Sequence, residues 1–458
     1  MKAELIKEKG QSILEVLIAL GVLAMSLSAA IYLFFSGQSM LIDSRLNQKA
    51  LYLARQNMEE ARLGAISNFN SLQSSSSMEN GFLKELIVEQ TAGDTKKIIS
   101  RVSWNPTPLR NSKKELVTYL TNWRSVSSGA GGAAGGGGSP PTGDWANPRT
   151  LTSVDIGPGN EGTDIEVKSS YAYLTSEASD VNKPDLFIFN VSDPSSPILT
   201  SQTNFGIKGL NSLNISGNYL YAVSNDDSQE FLIIDISNPA LPTKISSVNL
   251  SGSSNGITVF YKNNFAYVGR ASGAAQEFVI IDVFNRSSPQ YYSGLSGVGG
   301  EINDIFVFNN RAYLGTEDDN NGLTIVNVGD PANPSKIGSL NVGEHVYGAY
   351  LTAESSAFVG GKTKFYITDA SNPASVNVIG SIATGGKVND VVTAGTLAFL
   401  ATGNSTKEFQ VINFATSSNP ILNSSFNFPQ QATGVDYLNN LIYMSVRSND
   451  ALRIITSQ

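Results

Sequence analysis

The sequence predicts a multidomain fold: a long N-terminal helix that is transmembrane and then amphipathic, a small α+β head, and an all-β seven-bladed propeller closed by an N-terminal strand. Three observations predict it. An apolar run begins at Gln11, a Gly-rich stretch follows Ser125, and an aromatic strand motif recurs seven times after Thr150. The predicted boundaries are 1–10 for a leader, 11–66 for the helix, 67–126 for the head, 127–143 for a linker and 144–458 for the propeller.

The helix prediction depends on residues 11–35, in which Glu15 is the one charged side chain. At a rise of about 1.5 Å per residue, this run is long enough to span a bilayer core of about 30 Å. Apolar residues then continue at helical spacing to about Ile66, with charges such as Arg45 and Lys49 between them. We therefore expect residues 11–35 to span a membrane and the rest of the helix to pack against the head.

Glu15 requires an explanation, because a carboxylate in hydrocarbon costs roughly 2.5 kcal/mol or more unless it is paired. A short leader containing lysines precedes it and ends at Gly10. Cleavage after Gly10 would create an α-amine at Gln11 that neutralises the carboxylate of a neighbouring helix. In its Lys-bearing leader, terminal Gly, Glu at the fifth mature position and unbroken apolar helix, this segment resembles a type IV prepilin.

The resemblance implies that Gly10 is the processing site, that Gln11 is the N-methylated first residue, and that Glu15 sets subunit register. Gln11 departs from the family, in which the first mature residue is usually Phe. The implied partners are prepilin peptidase, other pilin subunits along the helix, and an inner-membrane assembly platform. The implied location is a single-pass membrane protein with a cytoplasmic N-terminus, and later a filament at the cell surface.

Other interpretations of the N-terminus stay open. An uncleaved signal anchor would need no processing, and a secretory signal would use a small-residue site such as Ser28-Ala29-Ala30. A pseudopilin of a type II secretion-like machine would share the prepilin features but would contact secretion partners.

The region after Thr150 is built from repeats. Its marker is a strand centred on an aromatic residue that recurs every 41 to 48 residues, at Tyr173, Tyr221, Tyr267, Tyr313, Phe358, Phe399 and Tyr443. A second apolar strand in most units leads to an Asp/Asn-Pro turn. Each unit has the size of a four-stranded propeller blade. The seventh lacks its fourth strand, and the segment starting at Thr150 matches the missing piece, so we expect it to close the ring. These repeats resemble the LVIVP-repeat class of seven-bladed β-propellers.

The starts of the innermost strands should meet at one mouth of the central channel. Charged side chains at these starts form the candidate ligand-binding set: Glu161, Lys208, Glu301, Glu344, His345 and Lys387. A concave polar mouth is the default binding site of such a fold, although structural roles for these residues stay equally open. Asp164, Asp304 and Asp390 follow in the same strands, and we expect them to hydrogen-bond to backbone instead.

Composition excludes several functions. The chain has 458 residues, no cysteine, one histidine and a net charge of −8. Catalysis by cysteine and metal sites ligated by cysteine are therefore excluded. The acidic net charge argues against nucleic acid as a partner. No cofactor is predicted. Acidic loops at 225–227 and 317–322 offer oxygen ligands for calcium, but they lack EF-hand spacing and fit solvated hairpin turns better.

The sequence as a whole predicts a minor type IV pilin that displays a propeller as a binding module, for adhesion or for a glycan or protein ligand on another surface. No enzymatic activity is predicted. Two alternatives remain: the pseudopilin, and a surface hydrolase that uses Glu301 and Glu344 as a carboxylate pair.

Overall fold

The structure is a computed structural model, and it describes part of the chain. The described residues are 17–18, 20–21, 23–28, 31, 43, 45–58, 60–61, 72–92, 95–107, 110–121, 141–273, 275–353 and 356–458. The chain divides into two compact units, Met1–Ser127 and Ser128–Gln458. The predicted processing and assembly residues Gly10, Gln11 and Glu15 lie outside the described residues.

The first unit contains a four-stranded antiparallel sheet with helical residues packed on it. The strands are β1 (Ser75–Glu79), β2 (Phe82–Ala92), β3 (Thr95–Thr107) and β4 (Arg110–Thr121), paired in sequence order. Residues 45–58 are helical, and Ala50, Leu53 and Ala54 pack there against Phe82 and Trp104. Trp104 is 5% exposed and is part of the core of this unit.

The predicted fold class is wrong. Among the described residues no helix is long and apolar enough to cross a membrane, and the structure is nearly all β, with eight four-stranded sheets in place of a long helix and an α+β pilin head. Residues 45–58 form one described helical segment. It carries Arg45, Lys49 and Arg55, whose charges hydrocarbon would not accept. The predicted membrane and cell-surface localisation is contradicted by the same finding.

The second unit contains seven four-stranded antiparallel sheets, the blades of a propeller. Strand β5 (Arg149–Val154) precedes them in the chain. Blade one has β6 (Asn160–Lys168), β7 (Tyr171–Ala178), β8 (Leu186–Asn190) and β9 (Ile198–Thr203). Blade two has β10 (Leu210–Ser216), β11 (Tyr219–Ser224), β12 (Phe231–Asp235) and β13 (Thr243–Val248). Blade three has β14 (Gly256–Lys262), β15 (Phe265–Arg270), β16 (Phe278–Asp282) and β17 (Gln290–Leu295).

The remaining blades repeat this order. Blade four has β18 (Ile302–Phe308), β19 (Arg311–Thr316), β20 (Leu323–Asn327) and β21 (Ser335–Leu340). Blade five has β22 (Val346–Ala353), β23 (Ser356–Gly361), β24 (Lys364–Asp369) and β25 (Asn377–Ala383), with a short 3-10 helix at Pro373–Ser375. Blade six has β26 (Val388–Ala394), β27 (Leu397–Thr402), β28 (Phe409–Asn413) and β29 (Ile421–Phe426). Blade seven has β30 (Ala432–Leu438), β31 (Leu441–Val446) and β32 (Leu452–Thr456).

The N-terminal strand β5 completes blade seven, as the sequence predicted. It pairs antiparallel with β32, so that Val154 lies opposite Leu452 and Arg149 opposite Thr456. Just before β5, Trp145 is 3% exposed and packs edge-on against Phe399 of blade six, with ring centroids 4.7 Å apart. Pairing of the first and last strands of the propeller closes the ring. It removes a free sheet edge, which would otherwise be open to pairing with another chain.

Turn chemistry explains why the third strands of blades one to six end where they do. Strand β12 is buried on both faces and ends at Asp235, whose carboxylate accepts the N–H of Ser237. Asn238 then accepts the N–H of Ala240 in a second turn of the same kind. Short Asp and Asn side chains favour such turns because they bond to the backbone two residues on. The recurring Asp/Asn positions therefore fix the turn that leads to the outermost strand.

Adjacent blades are joined along the outer rim by a repeated contact. Serine hydroxyls on four outermost strands donate to backbone carbonyls of the next blade, in the pairs Ser201–Pro239, Ser246–Arg286, Ser293–Pro331 and Ser424–Trp145. In blades four and five the corresponding positions are Gly338 and Gly380. A Cβ at either would collide with a carbonyl oxygen, of Pro373 or of Ser417. These two glycines are therefore required by close backbone approach.

We expect Trp145→Ala to destabilise the propeller by about 3–5 kcal/mol, because the change leaves a large cavity between the closing segment and blade six. The measurement is urea unfolding followed by circular dichroism. Ile198→Ala, at a side chain that is 66% exposed on β9, is the control and should shift stability by no more than about 0.5 kcal/mol. Equal effects of the two substitutions would contradict the role of Trp145 in closure.

Candidate functional site

The candidate site lies at the mouth of the central channel. The seven innermost strands, β6, β10, β14, β18, β22, β26 and β30, contact one another in sequence around the ring. Glu161 is the second residue of β6, whereas Glu301, His345 and Lys387 immediately precede β18, β22 and β26. Side chains from blades far apart in sequence are brought together there.

Tyr347 is the centre of one cluster at the mouth. The Lys387 ammonium nitrogen lies 3.9 Å from the centroid of the Tyr347 ring, which is a cation–π contact. His345 Nδ1 is 3.3 Å from the Tyr347 hydroxyl, and His345 Nε2 is 3.3 Å from Asp319 Oδ1. Tyr347 therefore links a lysine on one side to a histidine and a carboxylate on the other.

Charges across the mouth interact with this cluster. Burial, and next the neighbouring Glu317, raise the pKa of Glu301, while the Lys387 ammonium opposes the shift. Lys387 is exposed as a whole residue, but loss of solvent around its ammonium group lowers its pKa. The negative charges of Glu317 and Glu301 oppose this decrease. The carboxylates of Glu317 and Glu301 also raise the pKa of Tyr347, after burial. Lys387, Glu301 and Glu317 are thus close enough to influence one another.

Arg447 forms the second cluster at the mouth. Its Nη1 lies 3.2 Å from Glu177 Oε2 and 4.0 Å from Glu161 Oε2. The positive charge of Arg447 also lowers the pKa of Lys387, so the two clusters are neighbours. We call the residues of both clusters the mouth ring: Glu161, Glu177, Glu301, Glu317, Asp319, His345, Tyr347, Lys387 and Arg447.

Two predicted site residues have other contacts. Glu344 accepts hydrogen bonds from the backbone N–H and the hydroxyl of Thr363, and its Oε1 lies 2.9 Å from the Tyr366 hydroxyl. These bonds join the chain before β22 to the turn before β24, which is a structural role. Lys208 is exposed, and its charge acts on Asp180, whose pKa it helps to lower. The predicted set is therefore brought together only in part.

The sequence prediction missed Glu177 and Arg447 entirely. Glu317 and Asp319 were considered only as part of a calcium loop, and Tyr347 only as part of a strand start. In that loop Asp318 accepts the N–H of Asn320, as expected for a solvated turn. The register of the strands supplies a signal for Glu177, because it lies directly opposite Glu161 in the β6–β7 pair.

Below the mouth, carboxylates bind the inner strands to one another. Asp164 accepts the N–H of Ile165 in its own strand, and the N–H of Leu213 and hydroxyl of Ser212 in the next blade. Asp304 and Asp390 repeat this arrangement with the N–H groups of Ala349 and Val435. The prediction that these three Asp residues bond to backbone is confirmed.

These carboxylates have altered acidity. Burial raises the pKa of Asp164 to about 6 and the pKa of Asp304 to about 7, against the hydrogen bonds that favour ionisation. Burial, and then the charges of Asp164 and Asp304, raise the pKa of Asp390 well above its usual range. The folded propeller therefore holds protons on this ring at pH values where an unfolded chain would have lost them.

The architecture defines the second unit as a β-propeller repeat domain. Five segments match a family model described as the LVIVD repeat, at residues 161–204, 210–250, 251–293, 299–342 and 346–384. The match confirms that this region consists of repeats. The matching family is the LVIVD repeat, whereas the sequence resemblance had been to the LVIVP repeat. No curated protein sequence matches the chain.

Solved structures support the fold alone. The Myceliophteria thermophila Cps50 (Swd1) β-propeller domain has a TM-score of 0.54 at 11% identity, covering 68% of this chain and 100% of that one. A chain of the mitotic checkpoint complex has a TM-score of 0.52 at 13% identity, covering 68% and 94%. The WD40 β-propeller domain of Doa1 has a TM-score of 0.52 at 10% identity, covering 68% and 97%. Neither the repeats nor these structures concern a pilin or a secretion machine.

We expect the propeller to lose stability as pH rises from 5 to 8. Asp304 has a folded pKa of about 7 against an ordinary value of 3.8. At pH values between these two, the folded state therefore binds more protons than the unfolded chain. Its contribution is fully present below about pH 4 and is lost as pH rises through about 7. The loss should be roughly 1–3 kcal/mol, measured by urea unfolding at both pH values.

Asp304→Asn should reduce this pH dependence because the amide does not ionise. The control is Asp330→Asn at an exposed turn, where other blades already carry Asn238 or Asn285. A propeller that is more stable at pH 8 than at pH 5 would contradict the assignment.

Proposed function

We propose that this chain is a non-enzymatic binding protein whose β-propeller binds a protein ligand at the mouth ring. The observation that carries the proposal is the placement of Lys387 over Tyr347, close to the carboxylates of Glu301 and Glu317 in blade four and to Arg447 in blade seven. Such a mixed set of charges offers specific, oriented contacts to a partner with complementary charges, which favours recognition of one surface over others.

A protein ligand fits this mouth better than a glycan does. Sugar recognition commonly uses an open aromatic face, and the Lys387 ammonium occupies one face of Tyr347. The described tryptophans are also unsuited, since Trp104 and Trp145 are 5% and 3% exposed. Charged groups dominate what remains accessible, namely Glu161, Glu177 and Arg447, and these pair most strongly with charged side chains of a protein.

A hydrolase has less support than a binding protein. The predicted carboxylate pair combined Glu301 with Glu344, but the carboxylate that acts on Glu301 is Glu317. Glu344 is instead held by Thr363 and Tyr366. A glycosidase needs two carboxyl groups facing one bond, and the arrangement of these two residues does not favour it.

The proposal concerns the propeller and does not include filament assembly. The roles predicted for Gly10, Gln11 and Glu15 concern residues outside the described part of the chain, and they stay predictions. The same holds for the partners that the prepilin resemblance implied: the peptidase, other pilin subunits and the assembly platform.

The test is binding of the purified full-length chain to an array that carries both proteins and glycans. We expect saturable binding to one or more proteins, and loss of at least about tenfold in affinity for Lys387→Glu and for Glu301→Lys, because each reversal puts like charges together at the mouth. Lys244→Glu, on the outermost strand of blade two, is the control for net charge and should bind as the parent does.

Two results would overturn this assignment. Binding to glycans alone would contradict a protein ligand, and protein binding unaffected by both reversals would place the interface away from the mouth ring. Circular dichroism of each variant shows that a loss of binding does not reflect unfolding.

A further inference from the structure

A second ring of side chains lies deeper in the channel than the mouth ring. Its members are the inner-strand residues that lie opposite the recurring aromatic residue of each second strand in the β-sheet register. We call this set the inner ring: Glu166, Asn214, Phe260, Phe306, Tyr350, Val392 and Asp436. Asn214, Phe260, Tyr350 and Asp436 are partly exposed, so solvent reaches this ring.

One arc of the inner ring is polar and acidic. Asp436 accepts the N–H of Val167 at 2.6 Å, Glu166 accepts the N–H of Ile215 at 2.8 Å, and Asn214 accepts the N–H of Tyr261 at 2.9 Å. Burial, and next the charge of Asp436, raise the pKa of Glu166 well above its usual range. Backbone amides hold these carboxylates in place, but their negative charges still repel each other.

The next arc around the ring is aromatic. The centroids of Phe260 and Phe306 are 5.1 Å apart, and those of Phe306 and Tyr350 are 5.2 Å apart, with the rings tilted against each other. Blades three, four and five thus supply a continuous aromatic surface at the depth where blades seven and one supply carboxylates. A ligand bound in this ring would therefore contact both the carboxylates and the aromatic side chains.

Positive charge near the inner ring is scarce among the described residues. Lys168 acts on Glu166 and partly counters the rise of its pKa, but its ammonium donates to the carbonyl of Gly217. Lys262 lies over the ring of Phe308, 5.8 Å from the centroid, and donates to the carbonyl of Val307. Above the inner ring, Asp164, Asp304 and Asp390 add three more carboxylates. A bound cation would therefore stabilise the ionised form of these carboxylates.

The chemistry favours an organic cation over a metal ion. In the part of the chain that the structure describes, no three Asp, Glu or His side chains are grouped closely enough to hold a metal. The carboxylates of Glu166 and Asp436 already accept backbone N–H groups, which limits direct coordination. Aromatic faces, in contrast, attract alkylated ammonium groups through cation–π contacts while their methyl groups pack against the rings.

We propose that the inner ring binds a small organic cation, with its ammonium group between the carboxylates of Glu166 and Asp436 and the aromatic faces of Phe260, Phe306 and Tyr350. This site is separate from the mouth ring, and the proposal does not depend on the nature of the protein ligand bound there.

The test is calorimetric titration of the full-length chain with choline, and with its neutral isostere in which carbon replaces the ammonium nitrogen. We expect saturable binding of choline and at least about tenfold weaker binding of the isostere, because only the cation gains from the carboxylates and the aromatic faces. Affinity for choline should rise from pH 5 to pH 8 as the carboxylates ionise.

Two variants separate the contributions. Glu166→Gln combined with Asp436→Asn keeps oxygen acceptors for the backbone N–H groups but removes the charges, and should weaken choline binding at least about tenfold. Phe306→Leu keeps apolar volume but removes an aromatic face, and should also weaken it. Asp330→Asn at an exposed turn is the control and should bind as the parent does.

If the unsubstituted chain bound choline and its neutral isostere equally well, that result alone would overturn the proposal. So would the absence of saturable choline binding, or affinity unchanged in the variants that circular dichroism shows to be folded. Loss of choline binding alone leaves the protein interface at the mouth ring unaffected, so the two proposals fail separately.

Discussion

The propeller depends on side-chain hydrogen bonds that join the inner strands of neighbouring blades, including the last blade and the first. Carboxylates of Asp164, Asp304 and Asp390 accept N–H groups of their own strand and of the following blade. The bond from Val167 to Asp436 joins the last blade to the first. An inner strand left without such an acceptor would carry a buried, unpaired N–H, which costs more than the bond itself contributes.

The same constraint gives the channel its electrostatic character. Backbone amides orient the buried carboxylates but carry no net charge, so solvent loss and mutual repulsion raise the pKa values of Asp304 and Asp390. At the mouth, where solvent is nearer, carboxylates are instead matched with Lys387 and Arg447. Groups that hold the blades together thus create the environment in which a ligand would bind.

Positions along the strands were predictable, but the directions of their side chains were not. The repeat pattern gave Glu301 and Glu344 the same candidate role, but Glu301 immediately precedes β18 whereas His345 separates Glu344 from β22. In the structure Glu344 turns toward Thr363, whereas Glu301 lies near Glu317 and Lys387. The offset of one residue sends the two side chains to opposite sides, because successive residues of an extended chain alternate in direction. On its side Glu344 meets the hydroxyl groups of Thr363 and Tyr366.

The sequence by itself determined the seven blades, the closing strand and the backbone bonds of the channel Asp residues, because these follow from local periodicity and from turn chemistry. It did not determine the fold near the N-terminus: an apolar run predicted a membrane helix, and the described residues contain none that could span a bilayer. Only the tertiary structure decided which charges meet, since the partners Glu177 and Arg447 are brought together by ring closure rather than by any short-range pattern.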